Sequence, residues 1–177
     1  MTRGSFDIVG QLDALRRYAR VLVRQDDEAD DLVQTTFLRA HERIASFRHG
    51  GDIRVWLMSI MHNQFIDQQR SNRASAAREQ DWLNMNPGFV QPSGETAARL
   101  AQLRTAFLSL PQEQRAALHL VAVEGLSIAE AADVLAIPQG TVMSRVGRAR
   151  AAIRDFEDNR AARKPGQPLR IVGGRDD

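Results

Sequence analysis

The chain has 177 residues, of which 24 are basic, 22 are acidic and none is cysteine, so disulfides, thiolate metal sites and cysteine nucleophiles are excluded. The formal net charge is only +2, but acidic residues cluster between Asp26 and Asp31 and arginines between positions 138 and 154, so charge is segregated along the chain. There is no apolar leader segment and no run of about 18 uncharged apolar residues, and we therefore expect a cytoplasmic protein without membrane insertion.

In the first block, residues 5–72, apolar residues recur at helical spacing and no stretch alternates with a period of two. An all-α fold is therefore predicted, with helices near Asp7 to Arg24, Asp27 to Ser46 and Asp52 to Arg73. The sequence FRHGGD contains two glycines and is predicted to form the loop between the second and third helices.

The second predicted helix begins with four acidic residues, Asp27, Glu28, Asp30 and Asp31. Negative charge is stabilised there by the helix dipole. A solvated helix start is the ordinary interpretation of such a cluster, and the residues alone leave that interpretation open.

The third predicted helix has two distinct faces. Its core stripe consists of Ile53, Trp56, Leu57, Ile60 and Met61, and its outward positions are Val55, Ser59, His62, Asn63, Ile66 and Arg70. Apolar side chains next to Arg54, Asn63 and Arg70 form a face that could stack on nucleic-acid bases. Ordinary protein surface is an equally open interpretation.

Two segments lack the helical periodicity. Residues 73–95 gather Pro, Gly, Ser and Asn, which indicates a linker between two helical domains. Residues 158–177 mix charge with Pro and Gly and have no periodic apolar face, so a disordered tail is predicted there.

The second block, residues 96–157, restores the helical pattern. Pro111 is placed to open a helix that Gly125 ends. Ser127 and Glu130 have the spacing of a capping box, which predicts that a short helix begins there.

The last helix of this block separates two faces. One carries Val142, Val146, Ala149, Ile153 and Phe156, and the other carries Met143, Ser144, Gly147, Arg148, Ala151 and Arg154. A short helix, a tight turn and a second helix with outward polar side chains predict a helix-turn-helix whose second helix enters a DNA major groove. A solvated arginine-rich helix end is the alternative.

Three segments in order resemble the two domains of a bacterial sigma factor of the extracytoplasmic-function (ECF) class, in the sigma-70 family: EADDLVQTTFLRAHERI, FRHGGDIRVWLMSIMHNQFIDQQR and LPQEQRAALHLVAVEGLSIAEAADVLAIPQGTVMSRVGRARAAI. The resemblance covers roughly residues 10–157 without the linker. It implies a region 2 helical bundle and a region 4 helix-turn-helix. It also implies a protein that binds core RNA polymerase and directs promoter recognition, strand opening and transcription initiation for a specific gene set.

The resemblance assigns roles residue by residue. It implies that the clamp helices of the polymerase's largest subunit bind Asp30, Asp31, Gln34 and Phe37. The minus-ten element and strand opening are assigned to Phe47, Arg48, His49, Arg54, Trp56, His62, Asn63 and Arg70. The minus-thirty-five element is assigned to Thr141, Met143, Ser144, Arg145, Gly147 and Arg148. Further implied partners are the flap region of polymerase and an anti-sigma factor.

Three residues depart from the pattern of this class. Met143 stands where a basic residue is common, Gly147 where a larger residue is common, and His62 where an arginine is common. We expect weaker base readout by the last helix, with Ser144 and Arg148 carrying more of it, and a weaker phosphate contact by His62 at neutral pH.

Other classes of function account for less of the sequence. A conventional helix-turn-helix regulator would account for residues 127–154 but not for the first block, and a sigma-like decoy would have no use for a DNA-binding face. The four histidines lack zinc-protease spacing, there is no Gly-x-Ser-x-Gly motif, and the one lysine, Lys164, is not in a phosphate-binding loop. We therefore expect neither enzymatic activity nor a cofactor or metal.

Overall fold

The computed structural model describes residues 9–23, 25–48, 50–76 and 95–163. Within these ranges the chain is helical and has no strand, which confirms the predicted all-α fold. The helices are α1 (Leu12–Leu22), α2 (Asp26–Glu42), α3 (Ile53–Ala76), α4 (Glu95–Ser109), α5 (Gln112–Ala122), α6 (Ile128–Leu135) and α7 (Gln139–Arg163), with short 3-10 turns at Val9–Gln11 and Ile44–Ser46.

The first half of the structure, α1 to α3, packs around an apolar centre. Leu15, Tyr18, Leu57, Met58 and Met61 are fully buried there. Leu57 and Met61 belong to the predicted stripe of α3, whereas Trp56 of that stripe is only half-buried. The helical period therefore located the inward face of α3 correctly, and Trp56 lies at its edge.

The second half, α4 to α7, is organised around α7, which packs against α4, α5 and α6. Val142, Val146 and Ala149 are buried on one side of α7, as their spacing predicted. Leu120 of α5 and Val134 of α6 are fully buried among the residues of the same apolar core.

The two halves pack directly on each other. Helix α1 contacts α5, α3 contacts α6, and the buried apolar residues of both halves form one cluster. This contact between halves was not foreseen from the sequence, which predicted only that a linker joins them. Residues 77–94, most of the predicted linker, lie outside the described residues.

Two further differences concern helix length and burial. Helix α7 continues to Arg163, past the predicted end at Glu157, and residues 164–177 are not described. His62, which the helical projection placed outward, is 9% exposed because the second half covers that side of α3. The spacing of apolar residues along one helix predicts which side faces its own domain, but it does not predict which side another domain will cover.

Candidate nucleic-acid and polymerase interfaces

Helices α6 and α7 form the helix-turn-helix. The Ser127 hydroxyl accepts a hydrogen bond from the Glu130 N–H at 3.2 Å, and the Glu130 carboxylate accepts one from the Ser127 N–H at 2.8 Å. This reciprocal pair is the predicted capping box. Hydrogen bonds that the Ser127 hydroxyl (2.7 Å) and the Ser127 N–H donate to the carboxylate lower the pKa of Glu130. The start of α6 is thereby fixed by local chemistry.

The turn between these helices contains a left-handed residue. Ala136 has φ 51° and ψ 45°, the conformation in which many helices end. The Pro138 carbonyl then accepts hydrogen bonds from the N–H groups of Thr141 and Val142, which begins α7. The turn thus ends α6 at Ala136 and begins α7 after Pro138.

The outward face of α7 carries most of the predicted minus-thirty-five residues. Met143 is 57% exposed, Ser144, Gly147 and Arg148 are exposed, and Thr141 is half-buried. A Cβ added at Gly147 would have no neighbour within 4 Å, so the glycine leaves open space on this face. The face is therefore a shallow surface from which few long side chains project.

Arg145 lies beside this surface but is held by another helix. Its Nη2 lies 2.6 Å from Oε2 of Glu113 on α5, and its side chain is 22% exposed. Sequence reasoning placed Arg145 with the DNA-contacting residues. In the structure its guanidinium ties α7 to α5, and its contact with DNA stays a prediction.

The loop before α3 is built on an aromatic contact. The ring centroids of Phe47 and Trp56 lie 5.2 Å apart and are tilted by 60°, and Arg48 is exposed beside them. Gly50 has φ 88°, a conformation that favours glycine. Asp52 starts α3 by accepting a hydrogen bond from the Arg54 N–H at 2.7 Å. His49 lies outside the described residues.

The remaining predicted strand-opening residues lie along α3 in different environments. Asn63 and Arg70 are exposed, and Arg54 is half-buried. His62 is buried, and its Nδ1 lies 3.0 Å from the Tyr18 hydroxyl, with which it shares a hydrogen bond. Burial, with a smaller contribution from the positive charge of Arg145, lowers the pKa of His62 to about 4. The imidazole is neutral at physiological pH.

Three of the four predicted polymerase-binding residues lie on the exposed side of α2. Asp30, Asp31 and Gln34 are exposed, whereas Phe37 is half-buried and packs against the core. Asp30 forms an exposed ion pair with Arg16 at 3.8 Å. Leu38 follows Phe37 and is 66% exposed. Leu38 was not singled out from the sequence, although an apolar residue outside the buried stripe of a helix indicates an exposed contact position.

A second group that sequence reasoning missed is buried and polar. Arg115, His119 and Glu124 of the second half are each at most 4% exposed. Burial lowers the pKa of His119 to about 4 and outweighs the opposing effect of the Glu124 carboxylate. His119 Nε2 lies 3.2 Å from Glu124 Oε1 without hydrogen-bond geometry, so this nitrogen is unsatisfied.

Within the part of the chain that the structure describes, no group of three or more His, Cys, Asp or Glu side chains could hold a metal ion. None of the helices described is long and apolar enough to cross a membrane.

Comparisons with known proteins match both halves. Residues 8–62 match the family described as "Sigma2 domain of PhyR", and residues 100–153 match "Sigma-70, region 4". The chain is 37% identical over 147 residues to the ECF RNA polymerase sigma factor EcfG of Rhodopseudomonas palustris, covering 83% of this chain and 81% of that protein. It is also 37% identical over 145 residues to the ECF RNA polymerase sigma factor SigM of Mycobacterium tuberculosis, covering 78% of this chain and 69% of that protein.

A solved structure agrees with these matches. The sigma factor RpoE of Bartonella quintana, in complex with the anti-sigma factor NepR, superimposes with a TM-score of 0.74 at 30% identity, covering 86% of this chain and 94% of that one. The chain therefore belongs to the ECF class of RNA polymerase sigma factors. Its function is that of a sigma factor, and its homologues are not enzymes.

Proposed function

We propose that this sigma factor contacts core RNA polymerase through the exposed side of α2, and that Asp30, Asp31, Gln34 and Leu38 are its contact residues. The proposal is supported by the exposure of all four side chains on one helix. Carboxylates around an exposed leucine form an apolar contact with a charged rim, which suits a basic helical partner. Phe37 packs inward and supports the helix.

Promoter DNA is proposed to contact two separate surfaces. Exposed Ser144 and Arg148 on α7 are suited to base edges and phosphates of the minus-thirty-five element. The Phe47–Trp56 pair, with Arg48, Asn63 and Arg70, is suited to a melted minus-ten strand, since aromatic and arginine side chains stack on unpaired bases. In this proposal the minus-ten strand is bound by the first domain, residues 5–72, and the minus-thirty-five element by the second, residues 96–157.

An anti-sigma factor is a further proposed partner. RpoE of Bartonella quintana is bound to one in its solved structure, and this chain covers 94% of that protein at 30% identity. We assign the protein to the cytoplasm, where polymerase acts, and propose that it serves a stress- or signal-responsive gene set.

Reconstituted transcription tests this function. The purified chain is added to core polymerase that lacks any sigma factor, with a pool of genomic promoter fragments. Discrete start sites that share two upstream elements are expected, and core polymerase alone is the control. Polymerase binding without specific starts would contradict the proposed promoter-directing role, and absence of polymerase binding would contradict the proposal as a whole. The single observation that carries the proposal is that one chain of this family has an exposed acidic face on α2 and an exposed polar face with Ser144 and Arg148 on α7.

A further inference from the structure

A buried carboxylate joins the two halves of the protein. Glu124 lies in the turn between α5 and α6, and its side chain is completely buried. Nε and Nη2 of Arg17 on α1 donate hydrogen bonds to its two oxygens at 3.0 and 3.1 Å. Nη1 of Arg54 on α3 lies 3.8 Å from Oε2. Because both arginines belong to the first half, these ion pairs cross the boundary between the halves.

This geometry makes the contact specific. A buried carboxylate is strongly destabilising unless it is paired, and two parallel N–H···O bonds are the strongest form of arginine pairing. The hydrogen bond with Glu124 raises the pKa of Arg17. If the halves move apart, Glu124 gains water and loses both arginines. The pair therefore exists only in the packed arrangement.

Polar side chains of α5 also complete the end of α1. The last carbonyl groups of a helix have no partner within it. The Val21 carbonyl accepts a hydrogen bond from Arg115 Nε at 2.9 Å, and the Leu22 carbonyl accepts one from Gln112 Nε2 at 3.1 Å. The second half thus caps a helix of the first.

The same boundary covers Arg54 and His62, two residues that the family resemblance assigns to strand opening. Arg54 is paired with Glu124 there. The Tyr18 ring is stacked on His62 and on His119, with centroids 6.4 and 5.8 Å apart, and His62 is buried. A DNA strand can reach His62 only after the second half has moved. The packed arrangement of the two halves therefore excludes full contact of a DNA strand with Arg54 and His62.

The dimensions of a promoter lead to the same conclusion. A compact chain of this length has a radius of gyration of about 16 Å. The minus-ten and minus-thirty-five elements are about 25 base pairs apart, or about 85 Å at 3.4 Å per pair. Halves that are packed together cannot bind both elements of an extended duplex at once.

We propose that the Arg17–Glu124 pair is an intramolecular latch that holds the free protein in a closed arrangement unable to engage a promoter, and that it is released when polymerase and DNA are bound. The effect of the latch on promoter binding rests on the proposed function. Its effect on the distance between the two halves is independent of that function. Arg17 is half-exposed, so replacing it spares the core of either half.

Distance measurements between spin labels test the latch. The chain has no cysteine, so labels can be placed through Glu42→Cys on α2 and Asp155→Cys on α7, both exposed positions. The free parent protein is expected to give one narrow distance distribution. Arg17→Gln is expected to add a longer-distance population, and Arg17→Lys, which cannot form the paired hydrogen bonds, a smaller one.

Arg20→Gln is the matched control, because Arg20 lies on the same helix and pairs within the first half, 3.2 Å from Asp26. It should leave the distribution narrow, and circular dichroism should show that all variants remain helical. An unchanged distribution in Arg17→Gln, or a broad distribution in the parent, would overturn the latch.

Addition of core polymerase and promoter DNA separates the two proposals. A shift of the parent to long distances supports both. A narrow parent distribution that polymerase and promoter leave unchanged contradicts the proposed function and the release step. If Arg17→Gln still opens the protein, that result supports the role of the pair in holding the two halves together. Arg17→Gln should also lower the polymerase concentration needed for half-saturation by roughly threefold, because less binding free energy is spent on opening.

Discussion

Arg145 on α7 is bonded to Glu113 on α5 at 2.6 Å, so an arginine beside the proposed DNA surface is neutralised by a carboxylate of its own domain. We expect Glu113→Gln to strengthen promoter binding by the polymerase complex, because Arg145 becomes available for a phosphate. Each additional phosphate contact steepens the dependence of log K on log salt by about 0.9. Salt titrations of promoter binding measure both effects.

Glu157→Gln on α7 is the control for this change, since it removes the same charge at an exposed position away from Arg145. Equal effects of the two substitutions would show that only net charge matters and that Arg145 is not released.

Arg148 is exposed on the outward face of α7 and is expected to contact the minus-thirty-five element. Arg148→Ala should weaken promoter binding about tenfold, as expected for one lost base contact, and leave core polymerase binding unchanged. Arg150→Ala removes the same charge from a neighbouring exposed position and should have a smaller effect. Parallel loss of polymerase and promoter binding in Arg148→Ala would argue against this role.

Asp30 and Asp31 are expected to contribute to polymerase binding. Replacing both by lysine should reduce competition for core polymerase roughly tenfold or more, because like charges then face a basic partner. The fold should survive, since the Asp30–Arg16 ion pair is exposed and such pairs contribute little to stability. Lysine at Asp133 and Asp155 makes the same change in charge elsewhere. If both double variants compete equally well, α2 is not the contact surface.

Ala136 adopts a left-handed conformation that is unfavourable for residues with a Cβ atom. Its side chain is exposed, so Ala136→Gly relieves strain without removing packing. The free energy of unfolding should rise by about 0.5–1 kcal/mol. Ala152→Gly, within α7, should lower it by about 1 kcal/mol. Thermal unfolding distinguishes these opposite signs, and destabilisation by both would rule out strain at Ala136.

His62 and His119 give stability a specific pH dependence. Their pKa values are about 4 in the folded protein, below the ordinary 6.5, so the unfolded chain binds more protons between these values. Stability is therefore fully present above pH 6.5 and is lost as pH falls toward 4. Each histidine contributes up to about 1.4 kcal/mol per pH unit.

Urea unfolding between pH 5 and 7 measures this slope, in a range where most carboxylates stay ionised. A variant in which either histidine is replaced by glutamine should show about half of it. A flat profile in the parent protein would mean that the histidines are accessible to water in the folded state.

Local patterns in the sequence were sufficient for the helices and for much of the candidate site. The capping box of Ser127 and Glu130 forms as predicted, because its hydrogen bonds join residues three positions apart. The buried stripe of Val142, Val146 and Ala149 follows from the helical period alone. The same period leaves Ser144 and Arg148 exposed.

Only the tertiary structure decided which charged and polar side chains are buried and what they bind. Arg17 and Glu124 are 107 positions apart, and nothing in the pattern near either residue indicates the other. The helical period of α3 places His62 outward, but the second half covers it. The pattern of α7 likewise gives no sign that Arg145 is paired with Glu113 on α5. A periodic pattern reports the contacts of one helix, whereas pairing across domains depends on how whole helices are placed, and that is determined by the packing of the complete chain.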